Sequence, residues 1–315
     1  WFGTAANGAL CLDGEVFSRL GTGEDLTGRN VMAILLDRRG RLWLGAWDGG
    51  VFLRQQGASR LTIIETAPRN VSALFEDRDG RIWAAGRRWI GWSDGDRFQS
   101  LTTDAGQSCW GIAQDRQGGM WFAYHDPGRL LHWNGAALHE IRLEHAFGGA
   151  ASPGVSVAAD REGAIWVGGG NRLSRWAGEG PALSLEVPAA YIRRVQCDRH
   201  GRLWLCTTNG AFWYDGHGLH RLGPEDGLAH AAVNCMHEDE TGTLWFATFG
   251  RGISRYDPEH VQVFDSRRGM PHDEVSVVAK ASPTGLWVGF AAVVPDTPLH
   301  DGAGILQDGR FAPAD

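Results

Sequence analysis

Apolar and polar residues alternate in short runs along this chain, and the runs break at Asp-Gly and Asn-Gly pairs. The stretch from Asn70 shows the pattern. NVSALFED alternates and reads as a strand, RDGR as a tight turn, IWAAG as a second strand, IGWS as a third, DGD as another turn and RFQSL as a fourth strand. Alternation with a period of two is the mark of a strand, and no unit keeps the spacing of an amphipathic helix. At the first turn Gly80 can take a positive φ, and the Asp carboxylate can bond the backbone ahead of it. The same four-strand reading fits Val233 to Asp265.

The unit repeats. EDRDGRIWAAG (Glu76 to Gly86) has siblings in LDRRGRLWLGA, QDRQGGMWFAY, ADREGAIWVGG, CDRHGRLWLCT and EDETGTLWFAT. Their anchors are Trp1, Trp43, Trp83, Trp121, Trp166, Trp204, Trp245 and Trp287, separated by 42, 40, 38, 45, 38, 41 and 42 residues. A period near 40 with four short strands per unit predicts an all-β fold, a single β-propeller of four-stranded blades over residues 1–315. Eight anchors predict eight blades. One blade cannot bury both its faces, so neighbours stack around a ring, and each anchor Trp fills the gap between blades with about 150–250 Å² of buried surface. The first unit starts in its middle at Trp1, and the last lacks the turn Asp and carries an insertion.

The phrase D-x-x-G-x-L-W-x-G-T, followed by G-[LI]-x-R-Y-D and Phe, resembles the two-component regulator propeller repeat, with EDETGTLWFATFGRGISRYD as the nearest match. The resemblance implies a sensor propeller of the kind carried by bacterial hybrid histidine kinases, in a periplasmic or other extracytoplasmic location. It also implies seven blades as the alternative count. The phrase GxLWF is similar to the streptogramin lyase propellers as well. No kinase or DNA-binding segment is present in the sequence, so a signalling output is expected to lie outside it.

Composition narrows the function further. Basic residues number 30 against 37 acidic ones, for a net charge of −7. Nucleic acid as a partner needs the opposite balance, gathered on one face. All the basic residues but Lys280 are Arg, as expected of a GC-rich genome. No apolar run approaches a membrane span. The chain opens on Trp1 without Met or a basic leader, which reads as a mature or excised segment. Five cysteines without a CxxC spacing imply neither a zinc site nor a disulfide framework, although Cys197 and Cys206 flank one hairpin and could face each other. No cofactor or metal is expected.

Candidate chemistry lies in the loops joining second to third strands, which vary while the Asp-Gly turns do not: WDGG, RRWI, YHDPGR, GGNR, TTNG, FGRG and a long final loop. Variable loops on a fixed frame are where binding concentrates. Trp47, Trp89 and Trp110 fall outside the anchor position and close to this face, with Asp48, Arg87, Arg88, Tyr124, His125 and Asp126 nearby. Their rings could stack on a sugar or another planar ligand, or simply pack the rim; the two Arg would suit a carboxylate. A small polar ligand or oligosaccharide is the expected partner, with another protein at the same rim as the alternative. GxSxG, HExxH, P-loop and GxGxxG motifs are all missing, so an enzyme is not expected. A metal-dependent lyase or lactonase on a propeller remains the third reading.

Overall fold

Each Trp-anchored unit between residues 31 and 264 folds into four antiparallel strands joined by tight turns. The computed structural model describes residues 31–264 apart from 48, 57, 59, 68, 96, 103–107, 126–127, 142, 144–154, 178–179, 190, 240, 250, 252 and 258–259. Outside that span it describes only the backbone of strands between residues 2 and 19 and between 275 and 313. In chain order, β1 (Phe2–Gly3), β2 (Ala9–Asp13) and β3 (Val16–Arg19) form a three-stranded sheet. Blade one follows as β4 (Val31–Leu36), β5 (Leu42–Ala46), β6 (Gly50–Arg54) and β7 (Thr62–Ile64). Blade two is β8 (Val71–Glu76), β9 (Ile82–Gly86), β10 (Trp89–Asp94) and β11 (Arg97–Thr102). Blade three is β12 (Cys109–Gln114), β13 (Met120–Tyr124), β14 (Arg129–Trp133) and β15 (Leu138–Ile141). Blade four is β16 (Val155–Ala159), β17 (Ile165–Gly169), β18 (Arg172–Ala177) and β19 (Gly180–Glu186). Blade five is β20 (Ile192–Cys197), β21 (Leu203–Thr207), β22 (Gly210–Tyr214) and β23 (Leu219–Leu222). Blade six is β24 (Val233–Glu238), β25 (Leu244–Thr248), β26 (Ile253–Asp257) and β27 (His260–Phe264). A last sheet holds β28 (Val275–Lys280), β29 (Gly285–Phe290), β30 (Ala303–Gln307) and β31 (Arg310–Pro313).

The first strands β4, β8, β12, β16, β20 and β24 touch in succession, so they line the axis and the fourth strands lie outermost. Side-chain packing is described for six blades. The eight expected, and the alternative seven, are corrected to these six. At the chain ends only backbone is placed, with β1 against β4 on one side and β28 and β29 on the other. The last unit also departs from the repeat: Ala281 stands where the others carry the turn Asp. Trp1 lies outside the described residues, and of the anchor at 287 only the backbone is placed.

The repeated Asp and Trp form one device, used six times. The indole N–H groups of Trp43, Trp83, Trp121, Trp204 and Trp245 donate at 2.8 Å to Asp37, Asp77, Asp115, Asp198 and Asp239, and Trp166 donates to Asp160 at 2.9 Å. The other carboxylate oxygen accepts the backbone N–H four residues on, as from Arg41 at 2.8 Å and Arg202 at 2.9 Å. The intervening glycines take the left-handed conformation, φ 79° at Gly80 and 85° at Gly201. Burial would raise the Asp37 and Asp198 carboxyls. The bonds from the indoles, the backbone and Arg41 or Arg202 outweigh it and hold both below the usual value of 3.8. Asp239 is held low in the same way, with Thr241 in place of the arginine.

Arginine stitches neighbouring turns together. Arg38 Nη1 donates to the Arg78 carbonyl at 3.1 Å and Arg78 Nη1 to that of Arg116 at 3.2 Å; Arg199 reaches the Asp239 carbonyl likewise. The backbone N–H groups of Arg38, Arg78 and Arg199 donate to Glu76, Gln114 and Glu238, which end the next inner strand. Much of the Arg content is therefore frame, beyond what codon usage explains. Cys197 ends β20 in the same place, opposite Leu203, while Cys206 faces Arg194. Both thiols are free, and the pairing that the hairpin made conceivable does not form.

Second strands are buried along their whole length in all six blades. Each is covered by a blade on both faces, which is why IWAAG and LWLGA read as continuous apolar runs rather than alternating ones.

Candidate ligand-binding rim

First strands begin, and second strands end, on the face opposite the Asp-Gly turns. The backbone repeats there as well. In blades two, three, five and six the residue after the second strand donates its N–H to the carbonyl of the residue before the first strand: Arg87 to Asn70 at 3.0 Å, His125 to Ser108 at 2.9 Å, Thr208 to Tyr191 at 3.1 Å and Phe249 to Ala232 at 2.9 Å. One residue further into the first strand, the register slips, leaving Met32, Ser72, Trp110, Arg193 and Asn234 as bulged residues. Only β16 among the six first strands pairs without a slip. Bulges of this kind bend the strand and re-aim one side chain. Each rim segment therefore presents three positions on a constant backbone, and their identities differ from blade to blade.

The sequence-derived residues divide on this geometry. Trp110 and His125 come together: their rings stack with centroids 4.0 Å apart and planes 6° from parallel. Trp47 is half-buried in the turn after β5, at the blade-one counterpart of His125. Arg87 and Arg88 are exposed and form the two-residue turn between β9 and β10, with Arg88 at φ 60°. Trp89 is corrected from rim to core. It is 7% exposed and packs with Trp43, Ile64 and Phe98, its ring 5.9 Å from that of Phe98. The ring folds back over Gly91, where a Cβ would come within 2.4 Å of it. Tyr124 is corrected likewise. It is the last residue of a wholly buried strand, its hydroxyl donates to the Trp89 carbonyl at 3.0 Å, and burial pushes its pKa up. Asp48 and Asp126 lie outside the described residues.

Three residues join the site that the sequence did not single out: Tyr191, Arg193 and Thr208. The Tyr191 hydroxyl lies 3.0 Å from His125 Nδ1, and the two rings meet edge to face at 6.2 Å. This bond runs from blade five to blade three, past blade four. Burial raises the Tyr191 pKa, and the nearby Arg193 charge opposes the rise. Arg193 is the bulged residue between the pairs Ile192–Thr207 and Arg194–Cys206. A usable signal was present in the sequence, because each of these residues falls within one place of the first apolar residue of a strand or just after a second strand. Such a cluster can stack a flat ring and orient polar groups at its edge.

A second concavity of about 410 Å³ opens on the turn face between blades four and five, beside Trp166, Arg175, Leu183 and Tyr214. Its Arg175 is already drawn to Glu162 at 3.6 Å and Asp160 at 4.0 Å. Among the described residues no three His, Cys, Asp or Glu side chains gather as a metal-binding group, and no helix is long and apolar enough to cross a membrane.

Comparison with known proteins follows the same lines. No curated protein sequence matches the chain. The extracellular domain of a putative hybrid two component system from B. thetaiotaomicron is similar at 17% identity and a TM-score of 0.69, over 91% of this chain and 40% of that one. A catalytically inactive virginiamycin B lyase from Staphylococcus aureus, solved with Quinupristin, is similar at 15% identity and a TM-score of 0.69, over 91% and 96%. The extracellular domain of a putative one component system from B. thetaiotaomicron follows at 14% and a TM-score of 0.50, over 95% and 45%. The chain thus spans less than half of either sensor domain, and at these identities the likeness establishes the propeller fold. The two component regulator propeller family matches residues 25–48, 67–88 and 227–250, which cover the first hairpins of blades one, two and six. Three segments of the chain thus match the two component regulator propeller repeat.

Proposed function

We propose that residues 1–315 form an extracytoplasmic sensing propeller of a bacterial two-component-type regulator, and that the rim binds a small polar organic ligand, an oligosaccharide by preference. The observation that carries this reading is the Trp110–His125 stack, closed across a blade by Tyr191. A parallel aromatic pair held by a hydrogen bond from another blade presents a fixed ring face, as stacking on the apolar face of a sugar requires. The repeat family and the similar extracellular domains support the sensor setting. A second reading, a protein partner gripping the same rim, is favoured by Met32 and Phe249. They are 45% and 49% exposed at the bulge position of blade one and the post-strand position of blade six.

The test is a calorimetric screen of the purified chain against neutral and acidic oligosaccharides, with Trp110→Ala alongside. A sugar that binds the parent and loses at least about tenfold in affinity with the variant is the expected result. Equal binding by the two proteins, or no binding by any sugar, would remove the small-ligand reading and leave the protein partner.

A further inference from the structure

We infer that Arg193 and Thr208 form a carboxylate seat at the edge of the Trp110–His125 stack, so that the ligand of this rim is a ring-bearing acid such as a hexuronic acid. The inference rests on the rim being a ligand site and adds the chemistry of its ligand. Two unsatisfied groups carry it. Arg193 Nε is buried and makes no hydrogen bond, and the Thr208 hydroxyl is buried and unbonded as well. Buried polar groups almost always find a partner, and a buried guanidinium N–H left without one is among the costlier exceptions. Among the described residues no carboxylate pairs with Arg193. Elsewhere in this protein comparable arginines are matched: Arg41 with Asp37 at 2.6 Å, Arg129 with Glu140 at 2.7 Å and Arg202 with Asp198 at 2.6 Å.

The backbone brings the two residues to the same end of blade five. Arg193 bulges out between the pairs that tie Ile192 to Thr207 and Arg194 to Cys206, while Thr208 is bonded through its own N–H to the Tyr191 carbonyl. Tyr191 in turn holds His125, and His125 holds Trp110. One continuous run of contacts therefore leads from the cation to the stacking surface. A carboxylate accepts two N–H bonds from a guanidinium fork and can take a hydroxyl proton as well, so it would satisfy both vacant donors while its ring covers the aromatic pair. Blade four, which lies between these residues, pairs its first two strands without the bulge.

The experiment follows the Trp110 indole and Arg193 Nε–H signals of nitrogen-15-labelled protein during titration with methyl β-glucuronide and, separately, with neutral methyl β-glucoside. Trp110→Phe and Arg193→Gln assign the two signals. The expected result is that the glucuronide moves both signals and the glucoside moves at most that of Trp110. Arg193→Gln should weaken glucuronide binding by about tenfold or more, and the conservative Arg194→Gln on the exposed neighbour should leave it unchanged. If both sugars move Trp110 alike and neither moves Arg193, the carboxylate seat is overturned while the rim reading stands. If neither sugar moves either signal, the seat is overturned, and the oligosaccharide screen above decides the rim independently.

Discussion

The two faces of this propeller are built on the same strands and have opposite characters. On the turn face, six Asp–Trp bonds repeat at 2.8–2.9 Å, with the same glycine conformation and the same backbone N–H donor four residues on. On the rim face the backbone bulge repeats in five of the six blades, yet the side chains there run Met32, Ser72, Trp110, Arg193, Asn234. Constant backbone with constant side chains is a frame. Constant backbone with changing side chains is a surface on which the frame imposes positions but not identities, and that is where a ligand can be specified.

The sharpest way to break this comparison is to remove one clamp. In Asp198→Ala the Trp204 indole N–H, the Arg202 guanidinium and the two backbone N–H groups that Asp198 accepts all lose their acceptor. Removing one partner from such a buried pair costs about 3–5 kcal/mol, which chemical denaturation would read directly. The same carboxylates set the acid limit. Because Asp37, Asp198 and Asp239 titrate below 3.8 in the folded chain, their contribution is complete above that value and is lost as pH falls through their lower folded values. Urea midpoints should therefore drop steeply below about pH 4, and less steeply in Asp198→Ala. A variant as stable as the parent would mean that the turn face is not the frame.

Next in size is a contrast between two tryptophans of the variable loops. Trp89→Ala empties a core site beside Trp43 and Phe98 and should cost about 3–5 kcal/mol. Trp110→Ala removes a half-buried ring stacked on His125 and should cost about 1 kcal/mol. Equal losses in thermal melts would place Trp110 in the frame and weaken the rim as a site.

These two residues also mark how far the sequence could be read. The blade unit was legible almost to the residue: the strands expected from Asn70 onward are β8 to β11, with no boundary shifted by more than one position. Repetition made that possible, since each unit tests the reading of the others. Trp89 and Tyr124 were misplaced because proximity in sequence to a variable loop does not say on which side of the last strand residue a ring falls. Tyr191, Arg193 and Thr208 were missed because aromatic rings guided the choice near the variable loops, while the positional signal, one place from a strand start or just after a second strand, went unused; at Arg193 a bulge also shifts the alternation by one place. The Asp–Trp bond was hidden for another reason. Turn and strand each explained their own residue locally, which left no reason to join positions six apart.

The smallest effect concerns the rim turn between β9 and β10 of blade two. Arg88 holds φ 60°, the one non-glycine residue with positive φ among the described residues. A left-handed L-residue is disfavoured by roughly 1–2 kcal/mol relative to its usual conformation, while glycine occupies it without that penalty. The gain from Arg88→Gly is offset by the larger entropy a glycine loses on folding, so the net should fall within about 1 kcal/mol on the stabilising side. Arg87 beside it keeps its N–H bond to the Asn70 carbonyl in either case, so the hairpin itself survives. A loss of more than that in Arg88→Gly would mean that the Arg88 side chain, and not the turn, is what the blade retains it for. Arg88 would then belong with the frame rather than with Trp110 and Arg193 at the rim.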